Sequence, residues 1–290
     1  MKKIKILIPV YNDWESVFKL LENIDKQIFN WNMNVSVLIV NDASTDQKPN
    51  NNFSFKNLKT IQVINMIENK GHARCNAAGL KYIDEKDNID YVIPMDGDGE
   101  DRPEELNEFI KKLKDFPEKV ITANRVKRSE GFFFKFCYFV HKILTLIFTG
   151  KSIEFGNYTC LPKLTVHKMA NESATWSSFS GSLTKVTDNR VSFPSTRGPR
   201  YFGPSKMSFF NLLKHSFSII AVFKTAVLIR SLVFLISYTF FVFNFISIIT
   251  LIPLLLTIIM VICILIVSKR QNYTQLKNSL ENIKNIEFIK

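Results

Sequence analysis

Asp96-Gly-Asp98 sets two carboxylates one glycine apart, directly after the apolar run 91–95. They open a stretch, 96–105, in which six of ten positions are acidic, within a chain whose formal net charge is +12. Carboxylates this close raise the cost of ionising one another. A hard divalent cation such as Mg²⁺ or Mn²⁺ relieves that repulsion, and Mg²⁺ commonly uses only one or two carboxylates beside substrate phosphates. The competing reading is a solvated acidic turn. Glu104 and Glu105 have a simpler account, since they follow Pro103 at a helix start and complement the helix dipole.

Other chemistries find less support. Thr149-Gly-Lys-Ser152 resembles the end of a phosphate-binding loop, but Thr145 stands where its first glycine is required, and no GxGxxG follows the first strand. His72, His141, His167 and His215 have no metal-ligand spacing on one helix, which disfavours zinc. Cys75, Cys137, Cys160 and Cys263 are scattered without a CxxC, as free thiols of a reducing compartment would be. Asn157-Tyr-Thr159 matches a glycosylation sequon, a chance match for a cytosolic segment. The positive charge lacks the aromatic-interleaved basic stripe of an RNA binder, so it points to anionic or phosphorylated lipids and not to nucleic acid.

The elements that must position these groups alternate. Residues 4–10, 35–40, 61–64, 91–95 and 120–123 are short apolar runs that read as buried strands. Between them, Val17, Leu20, Leu21, Ile24 and Ile28 recur at helical spacing, with Asn12 or Asp13 able to cap that helix. Gly71 opens a small-residue helix, and Leu106, Ile110 and Leu113 mark another. This order predicts an α/β domain with a mostly parallel sheet, whose ligands bind outside the carboxyl ends of the strands. Tyr11-Asn-Asp13, Asn41-Asp42 and Asp96-Gly-Asp98 all lie at such ends and converge on one cleft if the strands are neighbours.

No charged residue occurs over 231–267, about twice the ~20 apolar positions that cross a bilayer once. Asn244 and Pro253 interrupt the run, so it reads as two spans joined by a tight turn. Lys206, Lys214, Lys224 and Arg230 precede it and Lys269, Arg270 and Lys277 follow, which places both flanks in the cytoplasm by the positive-inside rule. The N-terminal run 4–10 stops at Tyr11-Asn-Asp without a cleavage site, so no signal peptide is expected. Residues 131–149 are apolar and aromatic, suiting either an interface helix on the bilayer or core packing. The expected organisation is therefore a domain over 1–213, a juxtamembrane segment over 214–230, two membrane helices in 231–267 and a cytosolic tail over 268–290, in a multi-pass protein of the cytoplasmic membrane.

Pro9-Val-Tyr-Asn12, Asn41-Asp-Ala-Ser-Thr-Asp46, Asn69-Lys-Gly71 with Asn76-Ala-Ala-Gly79, and Asp96-Gly-Asp98 with Asp101-Arg-Pro-Glu104 occur in an order and spacing that resembles family 2 glycosyltransferases. The chain looks most similar to the polyprenyl-phosphate glycosyltransferases, relatives of dolichol-phosphate mannose synthase. That likeness extends through Arg125-Val-Lys-Arg128, the run 196–206 and the C-terminal hairpin. It implies a GT-A fold that binds a nucleotide-sugar through Pro9, Tyr11, Asn12, Asp42, Gly71, Arg74, Asp96 and Arg125. It further implies a Mg²⁺ or Mn²⁺ ion on Asp96 and Asp98, and Asp98, Asp101 and Arg128 near the reacting sugar. Arg197, Arg200 and Lys206, bunched in a turn-rich loop, would meet a lipid phosphate or the donor diphosphate; a positive-inside flank is the plainer alternative.

One stretch departs from the family pattern. Where similar enzymes carry a Gly-Asp-Phe-Arg type motif, this chain has Gly156-Asn-Tyr-Thr159. Asn157 cannot act as a base. A phosphate acceptor, already ionised, needs none, whereas a sugar hydroxyl would need Glu154 or Asp101. The resemblance thus implies inverting sugar transfer to a polyprenyl phosphate such as undecaprenyl phosphate. The alternatives are transfer to a hydroxyl of a lipid-linked glycan in cell-surface polysaccharide synthesis, or a non-catalytic nucleotide-sugar-binding partner. The donor base, the sugar and any homo-oligomer stay open.

Overall fold

The computed structural model of the chain describes residues 1–49, 53–127, 132–204 and 209–290. The N-terminal half alternates as its apolar runs demand: β1 (Lys2–Val10), α1 (Trp14–Gln27), β2 (Met33–Asn41), β3 (Ile61–Met66), α2 (His72–Lys86), β4 (Tyr91–Pro94), α3 (Leu106–Asp115) and β5 (Val120–Lys127). After it come α4 (Phe132–Thr149), β6 (Phe155–Pro162), α5 (Lys163–Ala170), α6 (Phe179–Val186), β7 (Arg190–Thr196), α7 (Phe209–Ala221), α8 (Lys224–Val242), α9 (Ile248–Ser268), α10 (Tyr273–Lys277) and β8 (Ile283–Phe288).

Among the described residues these strands form one eight-stranded sheet in the order β7-β5-β6-β4-β1-β2-β3-β8. The pairs β1–β2, β1–β4, β2–β3 and β5–β7 are parallel, while β6 and β8 run antiparallel to their neighbours. This is the expected α/β, mostly parallel GT-A-like architecture. Side chains alternate across β1: Ile4, Ile6 and Ile8 pack with α1 and α3, whereas Leu7 faces α2 on the opposite side. Because β1 lies between β4 and β2, the three polar strand ends do meet.

The C-terminal third differs from the sequence expectation in two ways. Helix α8 begins at Lys224 and includes Arg230, the chain turns at 243–247, and Pro253 lies inside α9 instead of ending a span. Ser247 sets that boundary: it caps α9 and exchanges side-chain hydrogen bonds with Thr250. Residues 268–290 are not a free tail. They form α10 and then β8, which pairs with β3 through Gln62–Phe288 and Val63–Glu287. An unpaired β3 edge would expose a row of backbone donors and acceptors, and β8 covers it. Helices α8 and α9 are each long and apolar enough to cross a membrane, and both leave most of their apolar surface exposed.

Candidate active site

The cleft is built from backbone constraints first. Asn12 and Ala43 adopt left-handed φ values of 51° and 55° at the ends of β1 and β2. Asn12 binds the second loop rather than capping α1: its Oδ1 accepts from the Thr45 backbone N–H (2.8 Å) and its Nδ2 donates to Thr45 Oγ1 (3.0 Å). Asp13 makes no side-chain cap bond either. Asp42, buried at the end of β2, accepts from the backbone N–H groups of Lys70 and Gly71, both at 2.8 Å. Gly71 has φ 89°, a conformation that lets this turn fold back on Asp42 and start α2. Pro9 is the next-to-last residue of β1, beside these loops, and Tyr11 remains exposed at the cleft.

The acidic cluster forms the other wall. Asp96 Oδ1 lies 2.9 Å from His72 Nε2 and accepts from Asn157 Nδ2 at 3.4 Å. Asp98 Oδ2 accepts from Arg200 at 2.5 Å, and the same guanidinium donates to Asp13 Oδ2 at 2.9 Å. Asp101 is almost fully buried. Its Oδ2 accepts from the Asp96 backbone N–H (3.0 Å) and its Oδ1 from Arg125 (3.2 Å). Arg197 pairs with Glu100, and Tyr201 N–H donates to the Asp98 carbonyl at 2.9 Å, so the segment 197–201 straps the acidic turn. Gly99, at φ 88°, lies under the Tyr201 ring, where any Cβ would approach ring carbons to 2.6 Å.

Charge divides unequally among these carboxylates. Burial works against ionising Asp96, but His72, Arg125 and Asn157 outweigh it and hold the group well below the usual carboxylate range. Burial and then Asp96 push Asp98 up to about 6, against Arg200 and Arg197. The same two causes push Asp101 up to about 7, against Arg125. His72 moves upward because Asp96 outweighs its desolvation.

The structure therefore brings together Pro9, Tyr11, Asn12, Asp42, Gly71, Asp96, Asp98, Asp101 and Arg125, with Arg197 and Arg200 over the acidic turn. Arg74 lies in the first turn of α2, its Nη1 donating to the Lys70 carbonyl at 3.3 Å. Arg128 and Lys206 lie outside the described residues. Asp13 lies in the strand-end cluster the sequence places at the cleft, but its pairing with Arg200 was not anticipated; nor was His72, whose one signal was its place immediately after the glycine that opens α2. Among the described residues no three His, Cys, Asp or Glu side chains are arranged to hold a metal ion. Asp96 and Asp98 still supply the pair of hard oxygen donors that suits Mg²⁺ or Mn²⁺ beside a diphosphate.

A solved structure shares the fold at low identity. Glucosyl-3-phosphoglycerate synthase from Mycobacterium tuberculosis, solved with Mn²⁺, uridine-diphosphate-glucose and phosphoglyceric acid, is 12% identical, with 78% of this chain and 80% of that one covered and a TM-score of 0.57. S. aureus TarS 1–349 is 14% identical over 80% of this chain and 68% of that one, with a TM-score of 0.47. The model of the glycosyl transferase family 2 domain matches residues 5–157, more than half of the chain, across all three strand-end clusters. The chain belongs to glycosyl transferase family 2 and is a glycosyltransferase that uses a nucleotide-sugar.

Proposed function

We propose that the protein transfers a sugar, with inversion, from a nucleoside-diphosphate donor to a polyprenyl phosphate at the cytoplasmic face of the membrane. The observation that carries the acceptor assignment is the absence, among the described residues of the cleft, of an uncommitted carboxylate base. Asp101 is buried between the Asp96 N–H and Arg125, Glu154 pairs with Lys142, Asp13 with Arg200 and Glu100 with Arg197. Asn157 donates to Asp96 and cannot remove a proton. An acceptor that arrives ionised, as a phosphate monoester does, fits this cleft better than a sugar hydroxyl.

The donor's nucleoside would lie over Pro9, Tyr11 and Asp42, and its diphosphate toward Asp96 and Asp98. Those two carboxylates would hold Mg²⁺ or Mn²⁺, which when bound neutralises the departing diphosphate. His72 and Arg125 keep Asp96 ionised for that role. Asp101 fixes the Asp96 backbone and Arg125 together and so acts as a positioning residue. The segment 197–201 closes one side of the turn, where preorganised cations stabilise charge as it moves to the leaving group.

Exposed apolar surface beside the cleft supports the same reading. Helix α4 links β5, which carries Arg125, to β6, which carries Asn157. It leaves Phe139, Ile143, Leu146 and Ile147 exposed and packs on α8, with Arg230 donating to the Ile147 carbonyl at 3.0 Å. The strands on both sides of α4 thus lead from an apolar surface to the acidic cluster. We read α8 and α9 as the membrane hairpin, with 1–213 and the α10–β8 segment on the cytoplasmic side.

The test combines membranes holding the protein with Mn²⁺ or Mg²⁺, a panel of labelled nucleotide-sugars and added undecaprenyl phosphate. Metal-dependent label in the organic phase, requiring the lipid phosphate and lost in Asp98→Asn, is expected. Label that enters only a lipid-linked glycan would transfer the assignment to a hydroxyl acceptor.

A further inference from the structure

Arg197 and Arg200 are already matched to Glu100, Asp98 and Asp13. A different set of cations has no such partner. Arg74 (α2), Lys214 (α7) and Arg270 (just beyond α9) make no ion pair with any carboxylate among the described residues, though they come from three separate elements. Their meeting follows from the packing. Arg74 lies over the Trp176 ring, 5.6 Å from its centroid, and Trp176 Nε1 donates to Gln275 Oε1 on α10 at 2.8 Å. Gln271, next to Arg270, donates to the Ala221 carbonyl at the end of α7 (2.7 Å), and α7 packs along α9. Lys214 falls below the ordinary lysine value, first because of Arg270, then burial, then Arg74.

Among the described residues Asp42 is the one carboxylate that acts on this set, through Arg74, and its oxygens are already engaged by the Lys70 and Gly71 N–H groups; three cations gathered against so little negative charge are unfavourable in the free protein. Within this set the Nε of Arg74 is buried with no hydrogen-bond partner, an arrangement that leaves a strong donor unused. Both features are resolved by an anion with several acceptor oxygens. The location indicates which anion. Arg74 Nη1 reaches back to the Lys70 carbonyl, and the Lys70 and Gly71 N–H groups hold Asp42, so the cluster adjoins the Asp42 side of the donor cleft. Lys214 sits on a helix with exposed Phe210 and Leu213, and Arg270 two residues past the end of α9, at the level where the apolar hairpin stops. A soluble phosphate has no use for that apolar border, whereas a lipid phosphate does.

We propose that Arg74, Lys214 and Arg270 form a binding site for the phosphate head of a lipid, held at the membrane-side mouth of the donor cleft. The assignment rests on the polyprenyl-phosphate reading above and supplies it with residues. Guanidinium groups grip phosphate oxygens bidentately and the ammonium adds a point charge, so recognition is of a phosphate monoester, with the chain running along α7 and α9.

The test uses the full-length protein in phosphatidylcholine nanodiscs, with labelled undecaprenyl phosphate binding and UDP binding measured on the same samples. Lys214→Gln and Arg270→Gln should each weaken lipid-phosphate binding about tenfold, and the double variant further, with UDP affinity and melting temperature unchanged. Lys214→Arg should restore binding. Unaltered lipid affinity in the double variant overturns this site while leaving the acceptor reading intact. Wild type that binds no undecaprenyl phosphate overturns the acceptor reading itself. Competition by inorganic phosphate or phosphatidylglycerol as strong as by undecaprenyl phosphate would overturn the lipid-monoester assignment.

Discussion

Asp101→Asn probes how the acidic cluster is balanced. The Asp101 carboxyl is pushed from its ordinary 3.8 up to about 7, because it is buried and then because Asp96 is ionised beside it. The folded state therefore holds this proton more tightly than the unfolded chain. Its contribution to stability is complete below about pH 4 and is lost as pH rises through about 7. At 1.36 kcal/mol for each tenfold change, ionising the group in the folded protein costs on the order of 4 kcal/mol. Asp98, pushed up to about 6, acts with the same sign. Asp96 has the opposite sign, since its lowered value adds stability at neutral pH that disappears only in strong acid. Metal-free protein should thus melt at progressively lower temperature between pH 5 and pH 8. Asp101→Asn removes the largest part of that dependence, although it weakens the contact to Arg125. The assay is the melting temperature of wild type and variant across this range, without metal and then with Mn²⁺. Parallel wild-type and variant curves would refute the assignment of a strained, buried carboxyl at this position.

Asp98→Asn should lower kcat by about two to three orders of magnitude, the scale of losing one preorganised electrostatic group, with the nucleoside still bound; transfer assays beside UDP binding would show it. Gly99→Ala forces a Cβ into the Tyr201 ring at a positive φ, so the 197–201 strap should open and kcat/KM fall more than tenfold with little change in UDP affinity. Asp42→Ala leaves the Lys70 and Gly71 N–H groups without their acceptor and should destabilise the fold by about 1–3 kcal/mol while weakening nucleotide binding, measured by denaturation and by titration. A reporter fused after Lys290 should be cytoplasmic, because β8 pairs with a strand of the same domain that precedes the hairpin; an external reporter would contradict that pairing in the native membrane.

Much of the donor half could be read from the sequence because its strands are local, apolar and followed at once by polar turns. The order of the clusters at Asn12, Asp42 and Asp96 needed only the adjacency of β4, β1 and β2 to become a cleft. The strands that escaped notice had weaker signals. β6 (Phe155–Pro162) contains Gly, Asn, Thr and Pro instead of an apolar run, and β8 (Ile283–Phe288) carries Lys284 and Glu287. Each is specified by a neighbour far away in sequence: Val92 with Leu161, and Gln62 with Phe288. His72 had only its place after Gly71 as a signal, because its contact with Asp96 depends on the end of β4 and the start of α2 coming together in the fold. The pairing of Arg200 with Asp98 and Asp13 joins three separated segments and left no local trace.

If α8 and α9 span a bilayer as proposed, the return of the chain as β8 bears on how the cleft is held there. A hairpin tethered at one end would leave the cleft free to tilt relative to the membrane. Here the first helix of the hairpin, α8, is tied through Arg230 to α4, and the segment after α9 is tied through Gln271 to α7, through Gln275 to Trp176 and through β8 to β3. Two attachments fix an orientation that one cannot. They also keep Arg270, which follows α9, near Arg74, which lies in the first turn of α2 beside the loop that holds Asp42. On the proposed reading, the same pairing that closes the sheet edge would hold the lipid-head site beside the donor cleft, so a lipid head captured at the first would already be oriented toward the second.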